Sequence, residues 1–240
     1  LGVGPGTFRP IEGESVEESP AAPPGETLEA LWRARGESVS AVAGTSDHGV
    51  GKNRVSFLVV DEVGDLVERP TAEVWLARGR EEVPYAKTTA TLEPVGVPGS
   101  DPADAQNVYV MTIDVEQPGT VWYVARPEGG APVRALGTVK VRKQTSAPGI
   151  GDAALASETP TLRSTGGDLA RLTPAREPDR ALYTTSVAEA LAAREPFVLS
   201  FATPQFCQTR VCGPVVDVVS AVRRELAGSG TRFIHVEIYE

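Results

Sequence analysis

The side chains best suited to chemistry are the two cysteines of the chain, Cys207 and Cys212, which are separated by four residues. The apolar residues 197–202 precede them, and a segment with apolar residues at helical spacing follows. Free N–H groups and the dipole at a helix N-terminus stabilise a thiolate, which makes Cys212 the better-placed nucleophile. The spacing therefore predicts either a reactive thiol pair or a disulfide.

The elements around the cysteines form a predicted strand, helix, strand unit. Residues 197–202 are apolar without a helical period, as in a buried strand, and residues 233–239 form the second strand. Pro214 suits the first helical turn, and apolar residues follow at helical spacing until Gly228. Such a unit implies parallel strands with a right-handed crossover. The cysteines then lie at the carboxyl end of the first strand, where α/β sheets bind ligands.

The turn Cys212-Gly213-Pro214, followed by an amphipathic helix, resembles the Cys-Gly-Pro-Cys turn of thioredoxins. Val215 stands where thioredoxins have their second cysteine, and the partner lies upstream at Cys207. The resemblance implies a thioredoxin-like α/β domain that exchanges disulfides with a protein substrate. The Cys212 thiolate would attack the substrate disulfide and Cys207 would resolve the mixed disulfide, with no organic cofactor.

Other residues of this loop are expected to shape the turn or to support the thiols. Gly213 and Pro214 are assigned to the turn itself. Arg210 either favours a nearby thiolate or is an exposed loop arginine. Asp217 lies in the first or second helical turn, where its charge suits the dipole, and a proton-transfer role is the alternative.

A second resemblance concerns peroxide chemistry. The run Thr203-Pro204-Gln205-Phe206-Cys207 resembles the Thr-Pro-x-Cys pattern of bacterioferritin-comigratory-type peroxiredoxins, with one additional residue before the cysteine. That family implies a thiol that reacts with peroxide and a second thiol that resolves the sulfenate.

Two further alternatives stay open. Sco-type copper chaperones are thioredoxin-fold proteins with a cysteine pair and a distant histidine, and Cys207, Cys212 and His235 would be the Cu(I) ligands here. Alternatively, the cysteines form a permanent structural disulfide in a degenerate thioredoxin-like domain. The protein would then be a non-enzymatic interaction or assembly subunit.

Residues 37–144 show short alternating segments between turn residues, which predicts a separate β domain. The predicted strands are 38–43, 54–61, 71–77, 86–92, 108–115, 121–125 and 133–142. Their number and period of two indicate an antiparallel sandwich of immunoglobulin-like type. Its expected core contains Phe57, Trp75, Met111 and Trp122.

The rest of the chain is divided into a leader, a linker and the cysteine unit. Residues 1–36 are rich in Pro, Gly and Glu and predict an extended leader or tether, with one helical turn formed by Leu28, Leu31 and Trp32. Residues 145–180 predict a linker with a lead-in hairpin. Residues 181–240 are the thioredoxin-like unit, beginning at a helix capped by Ser186.

Composition limits the classes of partner. With 240 residues, 41% apolar, the chain can bury two cores, and a net charge of −9 with a pI near 4.9 argues against nucleic acid or an anionic membrane surface. No apolar run spans a membrane. We expect an exported bacterial protein, tethered on its N-terminal side, that meets a protein substrate or partner subunit. Because the rest of a thioredoxin fold does not follow residue 240, the domain is expected to be incomplete. Its open sheet edge and the leader would then support a larger assembly.

Overall fold

The computed structural model describes residues 25–97, 105–149, 151–203 and 212–238. Within these ranges the chain forms ten strands, three α-helices and two short 3-10 helices. The strands are β1 (Glu37–Ala43), β2 (His48–Gly49), β3 (Gly51–Val60), β4 (Thr71–Ala77), β5 (Ala86–Pro94), β6 (Asn107–Val115), β7 (Gly119–Pro127), β8 (Val133–Arg142), β9 (Phe197–Ala202) and β10 (Arg232–Glu237). The α-helices are α1 (Leu28–Trp32), α2 (Val187–Ala193) and α3 (Cys212–Glu225), and the 3-10 helices are Leu169–Arg171 and Arg180–Tyr183.

Seven of the described strands close into a barrel. They follow the order β1-β3-β6-β5-β4-β7-β8, and β1 pairs with β8 to complete the ring. All neighbours are antiparallel except β1 and β8, because an odd number of strands cannot alternate in direction around a closed ring. The short β2 pairs with the end of β8. Closure pairs each barrel strand on both sides.

Aromatic rings fill the centre of the barrel. Phe57 lies between Tyr109 and Tyr123, with ring centroids 5.4 Å and 5.2 Å away. Gly137 lies directly opposite Tyr123 on the neighbouring strand, and a Cβ at Gly137 would lie only 2.8 Å from Tyr123 Cε1. The ring of Tyr123 therefore occupies the space that a side chain on β8 would need. Its burial raises the pKa of Tyr123.

Helix α1 covers part of the outer surface of the barrel. Leu28 and Leu31 are buried against Trp75 and Val124, which point outward from β4 and β7. The N–H of Leu28 donates to the carbonyl of Glu82 at 2.9 Å, which fixes the start of the helix. The short helix predicted before Gly36 is thus confirmed, and it creates a second apolar layer outside the barrel.

The predicted immunoglobulin-like sandwich is wrong. A sandwich keeps two separate sheets, whereas the pairing of β1 with both β3 and β8 joins all seven strands into one closed barrel. The expected core is also partly wrong. Phe57 and Met111 lie inside the barrel, but Trp75 and Trp122 lie on its outer surface beside α1.

The C-terminal unit is a parallel strand pair with a helix on each face. Strands β9 and β10 run parallel, with Phe197 opposite Arg232 and Ala202 opposite Glu237. Val216 of α3 packs in one apolar cluster with Phe233, while Ile234 faces α2 on the other side. The alternation along β10 therefore points successive side chains into two different cores.

The predicted thioredoxin-like domain is also wrong. In the described part of the chain the parallel sheet has two strands, and residues 151–186 contain 3-10 helices without a strand. Leu172 and Tyr183 of this segment pack against the β9–β10 pair. The sheet is thus covered by irregular chain in place of the additional strands of a thioredoxin. Assembly through its outer edges stays a prediction.

The start of α2 carries a complete capping box. The Ser186 hydroxyl accepts from the Glu189 N–H at 3.1 Å, and the Glu189 carboxylate accepts from the Ser186 N–H at 2.9 Å. This confirms the predicted cap. We expect Ser186→Ala to lower the free energy of unfolding by about 0.5–2 kcal/mol, because a buried helix end loses its acceptor. Urea unfolding followed by far-UV circular dichroism measures the change.

The matched control for the cap is Thr184→Ala. Thr184 is exposed, and its hydroxyl donates to the nearby Ala181 carbonyl at 3.1 Å. Its removal is expected to change stability by less than about 0.5 kcal/mol. Equal losses in the two variants would contradict a special role for the Ser186 cap.

Candidate functional site

A cavity of about 660 Å³ opens at the carboxyl end of β10, where Glu237 is paired with Ala202 at the end of β9. Its wall includes a cation, a carboxylate and three further polar side chains. These are Arg171, Glu237, Thr173, Tyr183 and His235. The carboxyl ends of parallel strands are where sheets of this kind bind ligands, and the volume suits a small molecule.

A directional chain of hydrogen bonds lies in the wall of this cavity. The carbonyl of Ala202 accepts from His235 Nε2–H at 3.1 Å, so the other ring nitrogen of a neutral imidazole is an acceptor. The Tyr183 hydroxyl therefore donates to His235 Nδ1, at 2.7 Å. Thr173 lies on the same cavity wall as Tyr183. The hydrogen-bond chain thus runs from Tyr183 through His235 to the end of β9.

Burial favours the neutral forms of Tyr183 and His235, the two groups of the hydrogen-bond chain that can titrate. Tyr183 and His235 are each 2% exposed. Loss of solvation lowers the pKa of His235 despite its hydrogen bond to Ala202 and the nearby charge of Glu237. The same effect raises the pKa of Tyr183, although the Thr173 side chain opposes it. A neutral imidazole and a neutral phenol are the forms that this bonding pattern requires.

Tyr183 is positioned by a short helix tied to α3. It ends the 3-10 helix Arg180–Tyr183, whose cap residue Asp179 accepts from the Ala181 N–H at 3.1 Å. The Asp179 carboxylate also accepts from the Arg223 guanidinium at 2.8 Å. Both Asp179 and Arg223 are mostly buried, which fixes the phenol relative to α3.

Several predicted site residues lie outside the described residues. These are Cys207, Pro204 and Arg210. Cys212 begins α3, and Gly213 and Pro214 follow in its first turn, so the predicted helix is confirmed. The roles assigned to these residues stay predictions.

Two further predicted residues can be placed. Thr203 follows β9 and is buried, and its hydroxyl oxygen has no hydrogen-bond partner among the described residues. Asp217 lies in the second turn of α3, where burial raises its pKa while Arg224 opposes the rise. The structure therefore places Asp217 beyond the first turn, away from the strongest part of the helix dipole.

His235, proposed as a copper ligand, has both ring nitrogens engaged. Ligation would require it to give up its bond to Tyr183 or to Ala202. Among the described residues there is no group of three or more His, Cys, Asp or Glu side chains that could hold a metal ion. The two hydrogen bonds therefore account for the position of the His235 ring without a metal ion.

The comparisons with known proteins give little. The chain matches no family model and no curated protein. Among solved structures it is similar to a superoxide reductase (neelaredoxin) from Ignicoccus hospitalis, at 15% sequence identity and a TM-score of 0.27. That similarity covers 47% of this chain and 86% of the other. A likeness at this level carries no inference about function.

The predicted thiol–disulfide exchange by a thioredoxin-like domain is wrong. It depended on a thioredoxin-like domain, and the described residues form a barrel followed by a two-stranded parallel unit. The alternatives built on the same domain lose that basis as well. In the described part of the chain, no helix has the length and apolarity needed to cross a membrane. Export and N-terminal tethering stay predictions.

Proposed function

We propose that the C-terminal unit binds a small zwitterionic ligand, of the amino-acid or short-peptide class, in the cavity at the ends of β9 and β10. The observation that carries this proposal is the composition of the cavity wall. Arg171 offers a cation and Glu237 a carboxylate beside a buried, neutral hydrogen-bond chain. A molecule with both charges complements this wall, and about 660 Å³ accommodates one of that size.

Arg171 supplies the recognition of the ligand carboxylate. Its side chain is exposed at the end of the 3-10 helix Leu169–Arg171, and among the described residues no carboxylate forms an ion pair with it. A guanidinium binds a carboxylate through two parallel hydrogen bonds. Glu237, at the end of β10, places negative charge on the same wall, which favours the ligand ammonium group.

The hydrogen-bond chain favours binding over proton-transfer catalysis. A general base needs a ring nitrogen that reaches the substrate, but both nitrogens of His235 are bonded within the protein. Protonation of the ring is also disfavoured by its burial. His235 and Tyr183 therefore serve to hold the end of β9 in place beside the cavity.

Calorimetric titration of the whole chain with a panel of free amino acids and dipeptides tests the proposal. We expect saturable binding of a subset of the panel, and we expect Arg171→Gln to weaken it about tenfold or more by removing a charge-assisted contact. Arg176→Gln is the matched control, because Arg176 is an exposed arginine of the same segment outside the cavity wall. The Arg176→Gln variant is expected to bind the same ligands with the affinity of the wild type.

Two results would contradict this function. One is the absence of saturable binding across the panel, and the other is equal affinity in the wild type and Arg171→Gln. The Glu237→Gln variant distinguishes recognition of the ligand ammonium group from recognition of its carboxylate. The variant should bind amino acids more weakly than the wild type does, but it should bind the corresponding N-acetylated amino acids, which lack the ammonium group, equally well.

A further inference from the structure

A second cavity, of about 410 Å³, lies on the outer surface of the barrel beside α1. Leu31 of α1 and Trp75 of β4 supply its apolar part. Three cations, Lys87, Arg126 and Arg134, also line it. This cavity lies on a different part of the molecule from the one at β9 and β10, and it shares no wall residue with it.

The strand register brings the three cations together. Lys87 on β5 lies opposite Trp75 on β4. Arg126 on β7 lies opposite Glu73 on β4, and the register that pairs Ala125 with Ala135 places Arg126 opposite Arg134 on β8. Two like charges directly opposite each other on neighbouring strands are unfavourable unless an anion lies between or near them.

The carboxylates nearby do not balance these cations. Glu73 forms ion pairs with both Lys87 and Arg126. Within the described residues Arg134 has no carboxylate partner, and its guanidinium donates only to the Val133 carbonyl, at 3.2 Å. Glu26 also lines the cavity, so three cations still face two carboxylates. Burial and the charge of Arg126 lower the pKa of Arg134.

Trp75 provides a buried aromatic surface that positions two of the three cations. Its ring lies under two of the cations, 5.0 Å from Lys87 Nζ and 4.9 Å from the central guanidinium carbon of Arg126. It is nine-tenths buried or more, and its indole nitrogen has no hydrogen-bond partner among the described residues. The ring therefore holds two cations in place while Arg134 remains available.

The geometry points to an oxyanion-binding site in this cavity, for a ligand that carries a carboxylate or phosphate group. The guanidinium of Arg134 binds the anion through its planar set of N–H donors, and Arg126 contributes from the opposite strand. Leu31 and Trp75 receive the apolar part of the ligand. The bound anion relieves the repulsion between the two arginines.

Tryptophan fluorescence provides the test, because Trp75 forms part of the cavity wall. The whole chain is titrated with glutarate and, separately, with inorganic phosphate, at constant ionic strength set by sodium chloride. We expect a saturable change with at least one of them, and the better ligand assigns the class of anion. Calorimetric titration with the same two anions measures the affinity without relying on tryptophan emission.

Variants at Arg134 decide the assignment. Arg134→Gln is expected to weaken binding at least tenfold, and Arg134→Lys to give an intermediate loss because it keeps the charge but not the planar donors. Arg54→Gln is the control, since Arg54 is an exposed arginine of β3 that pairs with Glu93 away from the cavity. No saturation with either anion, or equal affinity in Arg134→Gln and the wild type, would overturn the site. Thermal unfolding checks that the variants fold, and Arg134→Gln should melt no lower than the wild type.

Discussion

Replacing Phe57 with alanine is expected to lower the free energy of unfolding by about 3–5 kcal/mol, since it leaves a cavity at the centre of a closed barrel. Phe57 is fully buried between Tyr109 and Tyr123. The barrel cannot collapse around the missing ring, because each of its strands is held by hydrogen bonds on both sides. Urea unfolding measured by tryptophan emission reports on the barrel directly, as Trp32, Trp75 and Trp122 all lie on its outer surface.

Phe201→Ala is the matched control for this prediction. The substitution removes the same atoms, but Phe201 of β9 is 61% exposed. Its loss is expected to change stability by less than about 0.5 kcal/mol. Similar effects in the two variants would mean that the centre of the barrel does not depend on the Phe57 ring. Phe57→Leu should recover part of the loss, because the cavity is then smaller.

The strands of the barrel were predictable because alternation in sequence reports directly on local burial. The predicted strands 71–77 and 133–142 coincide with β4 and β8, and the other five overlap their observed strands. In β3 and β6 the alternate residues Phe57 and Met111 face inward, as their spacing predicted. Period-two patterns follow from the geometry of a single strand, so no long-range information is needed.

Closure of the barrel could not be predicted in the same way. Alternation shows which face of a strand is buried but not which strand lies beside it. The pairing that closes the ring joins Glu37 to Val133, across most of the domain. Helix α1 adds a second difficulty, because it also buries the outward-facing Trp75. A large aromatic residue in a strand can therefore be buried either inside the barrel or beneath α1, and the sequence does not distinguish the two positions.

The candidate site shows the same division between local and long-range information. The helix beginning at Cys212 and the strand β10 carrying His235 were predicted from spacing. Tyr183 was missed, since its bond to His235 joins residues 52 positions apart. The available signal was a histidine in register with Phe233 on a buried strand face. Such a histidine needs partners for both ring nitrogens, and a tyrosine hydroxyl from a distant part of the chain was one candidate.

Stability of the C-terminal unit is expected to fall as the pH drops below about 6.5, because His235 must be neutral in the folded state. The ordinary pKa of histidine, 6.5, applies to the unfolded chain, while burial lowers the pKa in the folded protein. Between these two pKa values the unfolded state binds more protons than the folded state. The free energy of unfolding therefore falls by about 1.4 kcal/mol for each unit by which the pH drops. The full contribution is present above pH 6.5. Between pH 6.5 and pH 5 we expect the free energy of unfolding of the wild type to fall, by at most about 1.4 kcal/mol for each pH unit.

Urea midpoints from far-UV circular dichroism, compared for the wild type and His235→Gln, measure this effect. Glutamine keeps a donor for the Ala202 carbonyl but does not titrate, so the variant should lose less stability than the wild type over the same interval. Asp47 and Glu195 have lowered pKa values, and their contributions disappear only below about pH 4.5, the ordinary range for carboxylates. Because the pKa of Asp217 is raised in the folded protein, its protonation favours folding as the pH falls. This contribution is the same in the wild type and in His235→Gln, so it cancels when the two are compared. Identical pH dependence in the wild type and the variant would show that His235 is not held neutral by its hydrogen bonds, and the positioning role assigned to it would then fail.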